Sequence, residues 1–334
     1  MATGPRLDVY GVGNALVDIQ VRVDDVFLAR QRLAKGQMQL VDAAQQADVL
    51  AALQGHEQAR SSGGSAANTV VGVAELGGRA AYCGKVGRDS LGKFYREDLQ
   101  AVGVRFDGGV AAHPTGTSLI LITPDAQRTM LTSLGASSLL DADDISSARL
   151  EACKYLYVEG YLLPGEHTRR AALRAIEAAK ALGAKVALSV SDPFVVSSAE
   201  QLVWDLIEGP VDLVFCNEME AAALVGTEDM VECARALHKH AECVALTLGA
   251  KGSILMHDDV LHPVEGVPVD AVDTTGAGDM YAAGILYGLT NGLSWPQAGR
   301  LASHAAARVV AAVGARLPQK LSPGEVAAMS RGGG

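Results

Sequence analysis

Aromatic side chains are scarce in this sequence, making up 4% of its 334 residues. That scarcity excludes an aromatic base-stacking surface for single-stranded nucleic acid. Positive charge is also short: 28 Lys and Arg stand against 38 Asp and Glu, a formal net charge of -10. Duplex phosphates are bound through clustered cations, so nucleic acid is not an expected partner, although a small anion can still be held locally. The five cysteines, Cys83, Cys153, Cys216, Cys233 and Cys243, form no C-x-x-C pair. This argues against a zinc site or a disulfide framework and suits buried thiols in a reducing compartment. No stretch supplies the ~20 uninterrupted apolar residues of a membrane span. Asp8 falls where a signal peptide needs its apolar run, so the expected location is cytoplasmic, with no membrane partner.

What remains is the composition of an ordinary globular enzyme, 49% hydrophobic and 20% charged, on a chain long enough for one large α/β core or two modest domains. From about residue 155 onward, short β-rich runs (155–158, 186–190, 211–215) alternate with helical ones (168–182, about 201–207), the pattern of βαβ units and a parallel sheet. Gly183 and Gly209 follow the two helices, where a left-handed cap suits glycine. Two stretches read differently. Residues 17–24 alternate strictly, and 117–122 are β-rich and followed by the turn pair Pro124-Asp125. Both read as strands with one polar face, in a small sheet outside the main one. The division expected is a core of residues 1–15, 46–104 and 136–334, and a discontinuous lid of 16–45 and 105–135 that closes over substrate. The tail 330–334 is expected to lack structure.

The strongest chemical signal is Asp273-Thr274-Thr275-Gly276-Ala277-Gly278-Asp279, followed by the small-residue helix from Met280. Gly276, Ala277 and Gly278 let a ligand approach the backbone, and N–H groups at a helix start form a cradle for phosphate. Asp279 then falls in the first helical turn, placed to take the proton of a bound hydroxyl. Taken alone, the same residues also make a tight turn with a capping acid.

Further elements agree with this one. Gly63-Gly64-Ser65-Ala66-Ala67-Asn68 leads into a helix, and Gly84 to Gly92 reads as structural turns. Gly11-Val12-Gly13-Asn14-Ala15-Leu16-Val17-Asp18 lacks the third glycine of a dinucleotide fingerprint, which weakens an oxidoreductase reading. Asp18 taken alone is as readily a strand residue on a polar face. Cys216-Asn217-Glu218-Met219-Glu220 closes a strand, as an ordinary N-cap would, and Val244 to Gly252 contains Thr247 and Gly249, with Gly252 as a hairpin residue.

Together these motifs, over nearly the whole chain from Tyr10 to about Pro318, resemble the ribokinase-like (PfkB) carbohydrate and nucleoside kinases. Within that family the stretches 13–19, 188–194 and 211–218 most resemble the adenosine kinases. The resemblance implies a three-layer α/β/α core with a mainly parallel sheet and a small β-sheet lid. It implies that Gly63, Gly64, Asn68, Asn14 and Asp18 hold sugar hydroxyls. Asn217 and Glu220 would serve Mg²⁺ through water, Thr247 and Gly249 the nucleotide phosphates, and Arg128 the transferring phosphoryl group. Asp273 and Thr275 match a monovalent-cation (K⁺) site of some relatives, and His304 lies near the nucleotide. Met38, Leu40, Met130 and Tyr161 would line a purine pocket; Met38 and Tyr161 replace the glutamine and phenylalanine of the family pattern. The activity implied moves the γ-phosphoryl group of MgATP to the 5′-hydroxyl of a nucleoside, adenosine first, in a monomer or homodimer. The alternatives are a sugar kinase with the same catalytic parts and a silent nucleoside-binding protein.

Overall fold

Residues 6–125 and 127–331 are described by a computed structural model of the chain. In chain order the strands are β1 (Leu7–Val12), β2 (Leu16–Arg22), β3 (Met38–Leu40), β4 (Gln58–Gly63), β5 (Ala80–Cys83), β6 (Lys85–Gly87), β7 (Arg105–Phe106) and β8 (Gly109–Ala111). Next come β9 (Gly116–Ile122), β10 (Arg128–Ser133), β11 (Cys153–Glu159), β12 (Lys185–Ser189), β13 (Leu213–Asn217), β14 (Cys243–Thr247), β15 (Gly252–His257) and β16 (Val260–Glu265). The helices are α1 (Asp25–Arg30), α2 (Ala43–Ala52), α3 (Ser65–Glu75), α4 (Ser90–Ala101), α5 (Ser147–Ala152) and α6 (Glu166–Ala181). They continue as α7 (Pro193–Glu208), α8 (Glu218–Val225), α9 (Met230–His238), α10 (Ala277–Thr290), α11 (Trp295–Val310) and α12 (Pro323–Arg331).

Nine strands make the main sheet, in the order β16-β15-β14-β13-β12-β11-β1-β5-β7. Pairing is parallel from β14 to β7, and β15 and β16 extend one edge antiparallel. Along β11 the side chains alternate between two apolar clusters. Tyr155 and Tyr157 pack with α3, α10 and α11, whereas Leu156 and Val158 pack with α6 to α9. Burial on both faces is what a parallel sheet needs, and it yields the three layers expected. All five cysteines are buried and free. No helix among the described residues is long and apolar enough to cross a membrane.

A second, five-stranded sheet has the order β3-β10-β9-β2-β4 and contains both stretches singled out by their pattern. It also takes in β4, a segment expected in the core, while β7, expected in the smaller unit, pairs with β5 in the main sheet. The polar face of β2 differs from expectation: Asp18 and Gln20 are only 5% and 7% exposed. That face is turned toward the α/β core, where Gln20 lies beside Gly314 and Asp18 over Gly63. On the other side α2 inserts Gln46, which donates to the carbonyls of Thr117 and Leu131 and so bridges β9 and β10.

Three further expectations are corrected. The helix expected near 201–207 begins at Pro193, because Asp192 caps it and accepts from Phe194 N, and it breaks at Ala199. Gly183 is left-handed as expected, but Gly209 has φ −114 and is not. Ser330 and Arg331 belong to α12 instead of an unstructured tail, and residues 332–334 lie outside the described residues.

Candidate active site

The carboxyl ends of the parallel strands carry Glu159, Ser189, Asn217 and Thr247, and the N-termini of α3 and α10 converge above them. This is where an open α/β sheet leaves a crevice. Gly276, with φ +72, turns the chain into α10, and a Cβ there would lie 2.5 Å from the Ala315 carbonyl oxygen. A Cβ on Gly278 would meet nothing within 4 Å, so that residue leaves open space. One expectation is corrected here: the Ala277 N–H donates to Thr274 O at 3.3 Å and is already used. The N–H groups of Gly276, Gly278 and Asp279 have no acceptor among the described residues and form the positive end of the helix.

Asp279 is held from α3. Ser65 Oγ donates to its Oδ1 at 2.7 Å and Asn68 Nδ2 to its Oδ2 at 3.0 Å, residues three apart on one helix face. Burial pushes Asp279 up to about 6, and the bonds from Ser65 and Asn68 and the charge of Arg128 oppose that rise. At neutral pH the carboxylate is therefore mostly ionised and able to accept a proton.

Two cavities meet at this carboxylate, sharing Ser65, Arg128, Ser191, Gly276 and Asp279. The first, of about 440 Å³, has a polar end formed by Asn14, Asp18, Gly64, Asn68 and Glu159. The rest of its lining is mainly apolar, with Leu16, Met38, Leu40, Ile120, Met130, Leu134, Tyr161 and Phe194, and includes the hydroxyls of Ser118, Thr132, Ser138 and Thr168. At the polar end the carbonyl oxygens of the Asn14 and Asn68 side chains are buried without a partner. Asp18 is pushed up to about 7 by burial, against the charge of Arg316. Glu159, also pushed to about 7 by burial, accepts from Asn14 N at 2.7 Å, Asn14 Nδ2 at 2.9 Å and Ala66 N at 2.8 Å, and so fixes the polar wall.

The second cavity, of about 310 Å³, is lined by Asn217, Glu220, Thr247, Thr274 and Gly278 among others. Asn217 caps α8: its Oδ1 accepts from Met219 N and Glu220 N, both at 2.9 Å. Glu220 returns the box, accepting from Asn217 N at 3.1 Å and Asn217 Nδ2 at 2.6 Å. The capping alternative is thus realised, and the same two residues still border the cavity. Burial pushes Glu220 up to about 7, and no Lys or Arg among the described residues acts on it.

Other expected site residues are placed differently. Gly63 lies outside both cavities; its missing Cβ makes room for the Asp18 carboxylate. Gly64, at φ +98, closes on the Asn14 carbonyl. Gly249 forms a turn after β14 and borders neither cavity. Asp273 is fully buried: Oδ1 accepts from Thr275 N at 2.9 Å and Thr275 Oγ1 at 2.5 Å, and Oδ2 from Gly314 N at 2.8 Å. Arg128 Nε stands 3.8 Å from it. His304 borders a separate, mostly apolar depression with Val267, Pro268, Val269 and Ala307.

Sequence reading passed over Ser65, Glu159, Ser191 and Phe194. Ser65 sits inside the motif quoted for Asn68, and Glu159 directly precedes Gly160 at a strand end, so both carried a usable signal. Ser191 has φ +77, an uncommon conformation for a residue other than glycine, and nothing in its neighbours announces it.

The profile of the pfkB family carbohydrate kinases matches residues 36–321. The chain belongs to this family. As a pfkB-family kinase it is a phosphotransferase that uses ATP and acts on a hydroxyl of a sugar or nucleoside. It is similar to the crystal structure of adenosine kinase from Sinorhizobium meliloti, with TM-score 0.89 and 39% identity over 94% of this chain and 97% of that one. A probable sugar kinase from Rhizobium etli CFN 42 is similar at TM-score 0.89 and 36% identity, covering 95% and 97%. The probable fructokinase-2 of Arabidopsis thaliana is 29% identical over 68% of this chain and 72% of its own length.

Proposed function

We propose that the chain transfers the γ-phosphoryl group of ATP to the 5′-hydroxyl of a nucleoside, with adenosine the best fit. One observation carries this reading: the 440 Å³ cavity that holds the polar groups Asn14, Asp18 and Asn68 is also lined by Met38, Met130, Tyr161 and Phe194. A heteroaromatic base covers such a lining, whereas a sugar alone leaves it unburied. Similarity to a named adenosine kinase at 39% identity supports the same choice.

In this reading one hydroxyl of the acceptor's diol donates to Asp18, and the other donates to an unpartnered side-chain oxygen of Asn14 or Asn68. The primary hydroxyl rests against Asp279, which takes its proton as the bond from oxygen to the γ-phosphorus forms and the bond to the leaving ADP breaks. The triphosphate lies in the 310 Å³ cavity, where the free N–H groups of Gly276, Gly278 and Asp279 and the guanidinium of Arg128 meet the charge that spreads in the transition state. The depression beside His304 takes the nucleotide's adenine. The small sheet carries Asp18, Met38, Leu40, Arg128 and Met130, and its closing over the acceptor excludes water from the transfer.

A divalent cation fits Glu220, a buried carboxylate that borders the phosphate cavity and has no Lys or Arg among the described residues acting on it. The oxygen of Asn217 already accepts two N–H groups, so its part is to fix Glu220. Mg²⁺ bound with the nucleotide supplies charge neutralisation of the phosphates. The Asp273 carboxylate is met by three donors and by Arg128, and no step is assigned to a monovalent cation there.

The test is a side-by-side phosphorylation assay of adenosine, inosine, guanosine, ribose and fructose with ATP and Mg²⁺. Adenosine is expected to have the highest kcat/KM. A clear preference for ribose or fructose overturns the nucleoside assignment.

A further inference from the structure

Residues 314–317 form a strap between α11 and α12 that meets the turn into α10, the small sheet and the far end of α3. Gly314 N donates to Asp273, the Ala315 backbone closes on Gly276, and Leu317 N donates to Glu75 Oε2 on α3 at 3.3 Å. Arg316 reaches the small sheet. Its Nη1 donates to Asp98 Oδ2 on α4 at 2.9 Å, and its Nη2 donates to the carbonyl and hydroxyl oxygens of Ser62 on β4. The same Asp98 oxygen accepts from Ser62 N at 2.9 Å and Ser62 Oγ at 2.6 Å. One guanidinium thus ties β4 to α4, with a side chain only 14% exposed. A planar fork of donors suits this task, and a lysine supplies the charge without the fork.

β4 pairs with β2, placing Ser61 opposite Asp18. The Asp18 carboxylate lies over Gly63, next in the chain to Ser62. Among the described residues Arg316 is the one cation acting on Asp18; the other charged groups near it, Asp279 on α10 and Asp273 in the preceding loop, are carboxylates, and the phenol of Tyr95 on α4 is neutral.

We infer that Arg316 is a positioning residue for the acceptor: its charge favours the anionic carboxylate of Asp18, and its fork fixes the strand on which that carboxylate rests. The inference rests on the kinase reading above, because it needs an acceptor whose hydroxyls donate to Asp18. Burial already pushes Asp18 up to about 7 in the presence of the guanidinium, so removing that charge drives it higher and leaves less anion at neutral pH.

The experiment measures kcat and KM for the acceptor across about pH 5–9, a range that brackets the titrations of Asp18 and Asp279, in the parent, Arg316→Gln and Arg316→Lys, with thermal melting of each. Arg316→Gln is expected to raise KM at neutral pH about tenfold, to change kcat less, and to move the acid limb of kcat/KM about one pH unit or more toward alkali. Arg316→Lys keeps the parent's limb while melting lower. The kcat limb set by Asp279 stays in place in both and serves as the control. Equal loss in the two variants, with no displacement of the kcat/KM limb, reduces Arg316 to a structural clamp and overturns the inference. If Arg316→Gln does not fold, the double variant Arg316→Gln/Asp98→Asn, which also removes the carboxylate that Arg316 pairs in the clamp, is read by the same criteria. A parent that phosphorylates nothing in the substrate panel fails the functional reading and this inference with it. A parent that turns over, beside a variant with an undisplaced limb, fails the inference alone.

Discussion

Asp279→Asn separates the chemistry of the site from its fold, because it removes one proton acceptor and changes little in shape. Ser65 can still donate to the new amide oxygen, and Asn68, whose Oδ1 has no partner, can turn its amide to accept the new N–H. With the general base gone, kcat is expected to fall about 10²–10⁴-fold. Stability should move the other way. Burial raises Asp279 from 3.8 to about 6 in the folded chain, so the parent carries an ionised carboxylate there at a cost on the order of 3 kcal/mol at neutral pH. A raised folded value means that this stability is present below the unfolded value and is lost as pH rises through the folded one. The parent therefore loses it between about pH 4 and pH 6, and the variant does not. The variant should melt several degrees higher above pH 6, the gap narrowing toward pH 4. Turnover is read as ADP released, melting by circular dichroism. Turnover within tenfold of the parent refutes the base. A variant that melts at or below the parent throughout refutes the strained carboxylate.

Gly276→Ala and Gly278→Ala should fail differently. The first forces a left-handed Ala against the Ala315 backbone and should destabilise by about 1–2 kcal/mol or more, read as a lower melting temperature. The second meets no protein atom and should melt like the parent while KM for ATP rises at least about tenfold, since its methyl enters the approach to a helix N-terminus; the reverse order would refute the cradle. Arg128→Gln should lower kcat by about 10²–10³-fold, as the loss of one transition-state donor does, with KM for the acceptor changing far less; a change confined to KM would refute its place at the phosphoryl group. The rise in melting temperature produced by saturating acceptor should grow from about pH 6 to about pH 8, because hydroxyl donors favour the ionised form of Asp18, which titrates near 7. A larger rise at the acid end would count against the diol on Asp18.

The turn at 273–279 was legible because its pattern is local. A run of small residues followed by an acid at the start of a helix announces free backbone N–H groups beside a carboxylate within seven residues, and 273–279 folds that way except for the N–H of Ala277. The main sheet was legible for the same reason, its alternating strands and helices being short-range patterns. Long-range relations were not. The strict alternation of 17–24 announced a strand, but nothing in it says that the polar side turns inward onto the core, so Asp18 is buried where an exposed residue was an equal alternative. Gly63 was read as a substrate contact when it makes room for a carboxylate 45 positions earlier in the chain. Arg316 meets Ser62 and Asp98, more than 200 residues away, and carries no local signature.

Arg128 shows how the same site serves both rest and reaction. It starts β10 in the small sheet, borders both cavities, and has no hydrogen bond among the described residues. Its nearest anion is Asp273, at 3.8 Å, which is too far for a hydrogen bond and near enough to balance the charge. Asp273 in turn is held by Thr275 and Gly314, so it can release the guanidinium without being left unsatisfied. The donors of Arg128 are thus free to turn to a phosphoryl group crossing from one cavity to the other. The arginine belongs to the small sheet and Asp279 to the core, yet both border the same two cavities and the guanidinium charge already acts on the carboxylate, so charge and base stand together where an acceptor hydroxyl and a phosphoryl group would meet.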